Sequence, residues 1–471
     1  MRHQFSFSAI LLCVFAGWCH AAEPIQLDTR LELFVDDFLI EEMNGDLSQQ
    51  LQKPEPKEVS LVTDKPWEGN TSAYYTVFRD GNRFRMYYRG SHYDEKTRKG
   101  THPEVTCYAE SQDGIHWTKP NLGLYEFDGS KENNIVWDGI GTHCFAAFKD
   151  ENPDCPAEAK YKAISRGRPR GQRGLYIFQS PDGIHWKLMH PEPVITKGAF
   201  DSQNLAFWDP HTQIYREYHR IFTDRKRAIM TGTSKDFIHW SKPELLKYPD
   251  TPAQHLYTNA VSPYSRAPHI LVGFPTRYLP VEGQRVEPTF MASRDGVTFR
   301  RWLDPIIPES APKDRGGNRS NYMAWGLVEL PSRPNHLSVY ATEAYYTGPD
   351  SRLRRFEYRK DGFVAIHAGD KGGVLQTKSI KLGKLAERLV LNFKTSDKNG
   401  SIRVGLETPA GTPIDGFGLQ DCTPLTGDAI SQHVTWNDDA DISTLKGQTV
   451  RLRFQMQNAD LYSLQFQPWL R

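Results

Sequence analysis

Cysteine is scarce, charge is balanced, and long apolar runs are missing after the first twenty or so residues; each lack removes a class of protein. Six cysteines in 471 residues cannot build a disulfide scaffold, and no CxxC pair is there to hold a structural zinc. Cys13 and Cys19 fall in a leader, which leaves Cys107, Cys144, Cys155 and Cys422, with Cys144 to Cys155 across a hairpin as the one bridge to look for. Lysine plus arginine number 58 against 57 aspartate plus glutamate, so no global field draws in nucleic acid or an anionic membrane. Beyond the leader no apolar stretch is long enough for a membrane span. No segment longer than ten residues carries a helical period. GxGxxG after a strand, GxxxxGK[ST], HExxH and GxSxG are all absent, so no nucleotide cofactor, zinc-protease or serine-hydrolase chemistry is indicated. No ligand set demands a metal.

Hydrophobic residues make up 38% and aromatics 12%, enough for a large core. The start reads as a secretory signal over residues 1–22: Arg2 and His3, an apolar run from Phe5 to Trp18, then Cys19-His20-Ala21-Ala22. Bulky Trp18 before Cys19 argues against a lipoprotein. A secreted or periplasmic protein is expected.

A phrase then recurs: Ser111-Gln-Asp-Gly-Ile-His-Trp117, Ser180-Pro-Asp-Gly-Ile-His-Trp186, Ser234-Lys-Asp-Phe-Ile-His-Trp240, Ser293-Arg-Asp-Gly-Val-Thr-Phe299 and the weaker Arg359-Lys-Asp-Gly-Phe363. Its aspartates stand at 113, 182, 236, 295 and 361, in steps of 69, 54, 59 and 66 residues. Such steps fit a four-stranded blade with variable loops. Asp and Gly supply the side-chain-to-backbone bond and the positive φ of a tight turn. Repetition makes His116, His185 and His239 structural, because a catalytic group is needed once. Alternating segments between the turns complete five blades. The expected fold is all-β: a lead-in over 23–65, a five-bladed β-propeller over 66–372 and a β-sandwich over 373–471. The stretch Leu31 to Ile40 is a strand that packs on the sandwich or closes the ring.

In a propeller the start of each innermost strand, the end of the second and the start of the third share one face, where loops converge on a ligand. Four carboxylates at such positions are candidates for glycosidic cleavage: Asp201, Glu68, Glu343 and Glu287. One protonates the leaving oxygen; another attacks or activates water. The competing role is a strand cap or ion pair for Asp201, and pairing with neighbouring arginines for the other three. Trp67, Arg89, His143, Arg166, His219, Arg220, Tyr257 and Arg277 are the candidate substrate contacts. Trp67 and Tyr257 suit stacking on a sugar or packing in the core, and the arginines suit an acidic or sulfated sugar, or simply neutralise local acids. Third-strand starts add Glu104, Arg173, Arg227 and Arg352. Asp209-Pro210 sits in a hairpin turn and is assigned structure.

Leader, five aspartate-turn blades and trailing sandwich together resemble glycoside hydrolase families 32 and 43. Residues 34–40, Phe-Val-Asp-Asp-Phe-Leu-Ile, are similar to the opening of exported family-32-like proteins. In those families an acid near the start of each of the first three blades does the work. By position the resemblance implies Glu68, Asp201, and in the second blade Asp138 or His143. The Asn-Asp-Pro-Asn-Gly, Arg-Asp-Pro and Glu-Cys motifs of family 32 are absent, so fructan cleavage is not implied. Two readings stand: an exported glycoside hydrolase acting on an oligo- or polysaccharide, and a non-catalytic carbohydrate-binding or surface-scaffold protein. Nothing points to a particular oligomeric state.

Overall fold

The computed structural model describes residues 23–308, 321–396 and 399–469. The leader read over 1–22, and Arg319 and Ser320 at the approach to the fifth blade, lie outside the described residues. Among the described residues the only helices are three short 3-10 turns, and none is long and apolar enough to cross a membrane.

Five blades form a β-propeller. Blade one stacks Ala73–Asp80, Arg83–Gly90, Val105–Ser111 and Ile135–Trp137 outward from the axis. Blade two has Ala146–Lys149, Tyr161–Gly167, Gly174–Ser180 and Lys187–Leu188, and blade three Leu205–Asp209, Ile214–Thr223, Lys226–Ser234 and Glu244–Leu245. Blade four is built from Ser262–Tyr264, Ala267–Gly273, Met291–Ser293 and Phe299–Arg301. A second small ladder extends it at one end, His255–Leu256, Thr276–Leu279 and Arg285–Pro288. Proline causes that split: Pro275 has no N–H to continue the first ladder, and its carbonyl accepts from Thr289 at 2.9 Å. Blade five pairs His336–Glu343 with Arg352–Arg359 and carries Met323 to Val328, bridged to Ala341 and Ser338, on its inner side. Thr76, Ala147, Phe207, Pro263 and Trp325, one residue from each blade, line a single axial cavity of about 680 Å³, which closes the count at five around one axis.

The recurrent phrase is a hydrogen-bonded turn. In blade two the Ser180 hydroxyl accepts from the Gly183 N–H at 2.9 Å, and Asp182 Oδ1 accepts from the Ile184 and His185 N–H groups, both at 2.8 Å. Its other oxygen meets His185 Nδ1 at 2.7 Å, so each turn histidine serves its own turn; His116 and His239 do the same. Gly183 stands at φ 77°, and in blade three Phe237 takes that place at φ 68°.

Tyrosine hydroxyls fasten the blades to one another. Tyr87 of blade one donates to the Gly183 carbonyl of blade two at 2.7 Å, Tyr218 of blade three to Gly296 of blade four at 2.9 Å, and Tyr340 of blade five to Gly114 of blade one at 2.5 Å. Tyr264 of blade four donates to Asp361, so the weak fifth copy of the phrase is a seam anchor, which Arg266 also grips at 2.8 Å. Between blades two and three the direction reverses. Tyr215 reaches back to Asp150 at 2.6 Å, Lys162 pairs with the same carboxylate, and buried Phe237 packs against Phe148 and Tyr215.

The lead-in does more than precede the ring. Glu55–Val62 pairs antiparallel with Arg352–Arg359 and supplies the outer strand of blade five, so the start of the chain closes the circle. The strand expected over Leu31 to Ile40 is a two-residue pairing, Glu32–Leu33, on Ala459–Gln467 of the sandwich, and Ile40–Leu51 runs along Val364–Thr377. That last strand crosses the boundary drawn after Gly372: Val364 to Ala368 continue from blade five into the sandwich without a linker. Ten strands, from both ends of the chain, enclose a core that includes Phe393, Phe454, Phe466 and Trp436. Arg294 of blade four ties the two parts, with Glu32 at 2.9 Å and Asp36 at 2.7 Å.

All four described cysteines are free thiols, which corrects the expected bridge. Cys144 and Cys155 lie beyond opposite ends of strand Ala146–Lys149, one against Ser165, the other against Lys162 at 3.1 Å.

Candidate functional site

A pocket of about 910 Å³ opens where the ends of blades one, two and three meet. Blade two contributes His143, ahead of its inner strand; Arg166, at the end of its second; and Arg168 and Arg173, in the loop to its third. Blade three contributes Asp201, on the approach to its inner strand, and Phe222, near the end of its second; Glu104 comes from the third-strand start of blade one.

Glu104 and His143 form the hydrogen-bonded centre of one wall, Nδ1 to Oε2 at 2.9 Å. Behind them Arg89, buried, lies 3.2 Å from His143 Nδ1 and donates to the Thr71 carbonyl at 2.6 Å and the Tyr345 hydroxyl at 2.8 Å. Burial pushes the Glu104 carboxyl up, but the His143 hydrogen bond and the charges of Arg89 and Arg166 outweigh it and hold the group at about 2. Burial, helped by the same two guanidiniums, lowers His143 to about 4 against the pull of Glu104. At neutral pH the pair is therefore a carboxylate and an uncharged imidazole.

Asp201 is the other carboxylate facing the pocket. Its side chain is 49% exposed, yet it pairs with Arg220, which is only 3% exposed. Arg220 is fixed in turn by the Ala199 carbonyl at 3.0 Å and by the ring of Tyr257, 4.8 Å from its guanidinium carbon. Among the described residues no carboxylate comes within ion-pair distance of Arg166, Arg168 or Arg173. Phe222 stands 48% exposed at the rim.

The other three favoured carboxylates do not face this pocket. Glu68 is buried, accepting from Tyr88 at 2.5 Å and pairing with Lys119 at 2.6 Å. Glu343 is held by Arg352 at 2.7 Å and Arg354 at 2.6 Å. Glu287 is held by Arg277 at 3.0 Å and Arg285 at 3.2 Å. The cause is the hairpin itself. A residue ending the second strand lies opposite one starting the third, and the ladders align Arg277 with Glu287 and Glu343 with Arg352. Such buried pairs neutralise each other and leave no carboxylate to meet a ligand.

Among the expected contacts, His143 and Arg166 line the pocket. Trp67 is committed elsewhere, donating to Asn134 at 2.7 Å and packing edge-on to Phe127. His219 is fully buried, its Nδ1 2.7 Å from Glu217, and touches no open space. Arg277 is spent on Glu287. Tyr257 is half-buried between Arg220 and Arg227, in a tyrosine cluster with Tyr322 and Tyr278 at the same end of the ring. Glu104 and Arg173, expected at third-strand starts but not among the favoured residues, line this pocket, and Arg168 joins them from the loop after the second strand of blade two. Phe222, next to last in its strand, was not among the expected residues, because an aromatic in an alternating segment carries no signal that it lines a pocket. Among the described residues no three metal-ligating side chains converge.

No family model and no curated protein matches the chain. Solved structures do. A thermostable family-43 glycoside hydrolase is 15% identical, with 63% of this chain and 93% of that one covered at a TM-score of 0.45. A glycosyl hydrolase from Bacteroides ovatus is 14% identical, covering 66% and 94% at 0.45. A family 43 arabinoxylan arabinofuranohydrolase from Bacillus subtilis is 12% identical, covering 86% and 97% at 0.40.

Proposed function

We propose that the chain is an exported glycoside hydrolase that takes an acidic sugar, uronic or sulfated, into the pocket of blades one to three and cleaves a glycosidic bond there. The observation that carries this reading is that three guanidiniums, Arg166, Arg168 and Arg173, line one cavity together with two carboxylates, Asp201 and Glu104. Guanidinium forks match carboxylate and sulfate oxygens bidentately. Asp201, half exposed and paired with Arg220, suits the nucleophile or base. Glu104 is ionised in the empty pocket. An anionic sugar that excludes water and neutralises Arg166 removes two of the influences that keep it so, and its pKa rises toward the acid role.

The second reading, a protein that grips acidic glycan without cutting it, is favoured by the ionised state of Glu104, which leaves it no proton to give a leaving group. Reducing-sugar release from a panel of neutral, uronic and sulfated glycans separates the two. The hydrolase reading expects turnover on an acidic member. Tight binding with no release on any member makes the binding reading the correct one.

A further inference from the structure

One guanidinium near the pocket has no part in the chemistry above. Arg227 is the second residue of the third strand of blade three, and its guanidinium carbon lies 4.2 Å from the ring of Tyr278, 4.9 Å from Tyr257 and 5.4 Å from Phe222. Aromatic faces attract the cation but accept no in-plane N–H bond. Its Nε is buried without a hydrogen-bond partner. No carboxylate pairs with it among the described residues. Its charged neighbours are cations: Arg220, which shares Tyr257 and Phe222 with it, and Lys226, which donates to the Ala253 carbonyl at 3.1 Å. The backbone N–H of Arg227 meets His255 Nδ1 at 3.3 Å, and burial with the charges of Arg227 and Lys226 pushes His255 down, toward its uncharged form. The nearby acid, Asp201, is taken by Arg220.

Phe222 joins this cage to the pocket, since it lines the cavity and lies equally close, 5.4 Å, to Arg220 and Arg227. An exposed ring that borders both the pocket of Arg166, Arg168 and Arg173 and the cage of Arg227 is placed as a sugar platform between two anion sites.

We propose that Arg227, caged by Phe222, Tyr257 and Tyr278, is a second anion subsite, so that the protein takes a glycan with at least two acidic groups, one on Arg166, Arg168 and Arg173 and another on Arg227, with a sugar ring over Phe222 between them. The inference rests on the acidic-glycan reading of the pocket and adds the number and placement of the charges.

Calorimetric titration of the full chain tests it. The probes are a tetragalacturonate, a tetrasaccharide carrying one terminal uronate, a multiply sulfated tetrasaccharide and neutral cellotetraose. The tetragalacturonate or the sulfated probe binds at least tenfold tighter than the single-uronate probe, and whichever does so identifies the anion. Arg227→Gln weakens that tighter probe tenfold to a hundredfold, the range of a lost charge-assisted contact, and leaves the single-uronate probe unchanged. Arg227→Lys, which keeps the charge, retains most of the affinity. Equal affinity of wild type for singly and multiply charged probes overturns the proposal, whether or not the variants fold. So does an unchanged preference in Arg227→Gln. Preference for the multiply charged probe without bond cleavage upholds the subsite and removes only the hydrolase reading.

Discussion

Asp201 precedes the inner strand of blade three and Glu343 ends the second strand of blade five, and their surroundings make these two candidate acids different chemical objects. Asp201 is half exposed and has one partner; Glu343 is 1% exposed with two guanidiniums on it. Asp201→Asn and Glu104→Gln are expected to lower turnover by about 10²- to 10⁴-fold in protein that still folds, the usual worth of a positioned acid or base. Glu343→Ala should do the reverse. It leaves two arginines facing each other in a buried place, a loss of about 3–5 kcal/mol, readable by denaturant titration. Equal loss of activity in all three variants without unfolding would contradict this division. The sequence allowed the pairing of Arg277 with Glu287 to be foreseen, because both sit at the open end of one hairpin. It could not show that Asp201 stays half exposed, since that depends on loops from three blades.

The turn is the element most readable in advance. Ser, Asp and Gly recur at fixed offsets because each has a bond or a dihedral that no other residue supplies as well, and that periodicity counts the blades. Blade three shows how much the turn tolerates: Phe237 in place of glycine is accepted because its ring fills the seam against Phe148 and Tyr215. The tyrosine staples are less visible, since a strand tyrosine reads only as an apolar position. Tyr218→Phe removes the donor to the Gly296 carbonyl and leaves that acceptor without its tyrosine partner. The expected loss is about 1–3 kcal/mol, measured by urea unfolding. Asp182→Ala strips two backbone N–H groups and one imidazole of their acceptor and is expected to cost about as much. No change in either variant would show the turns and seams to be incidental.

At the scale of the whole molecule, the chain's start belongs to both parts. Glu55–Val62 closes blade five while Ile40–Leu51 lies in the sandwich, so neither part is complete without residues 40–62. Calorimetry should therefore show a single unfolding transition, and two separated transitions would contradict the coupling. Acid should loosen the whole. Burial raises Glu357 and Asp80, yet their partners overrule it, Arg333 and Arg355 holding Glu357 at about 2, and Tyr161, Lys149 and Arg85 holding Asp80 at about 2. Their folded values lie below the ordinary 4.5 and 3.8, so their stabilisation is complete above those values and is lost as pH falls through about 2. Read as melting temperature, the share of stability owed to these carboxylates should hold down to about pH 5 and then drop, while His143, lowered from 6.5 to about 4, adds a loss that begins as pH falls below 6.5.

The reading of the pocket is tested most directly by the crystal structure of Asp201→Asn soaked with tetragalacturonate. The predicted result is a uronate carboxylate on Arg166, Arg168 and Arg173 and a sugar ring against Phe222. Density for the sugar in the axial cavity of Phe207 and Trp325 instead, with the three guanidiniums untouched, would contradict it.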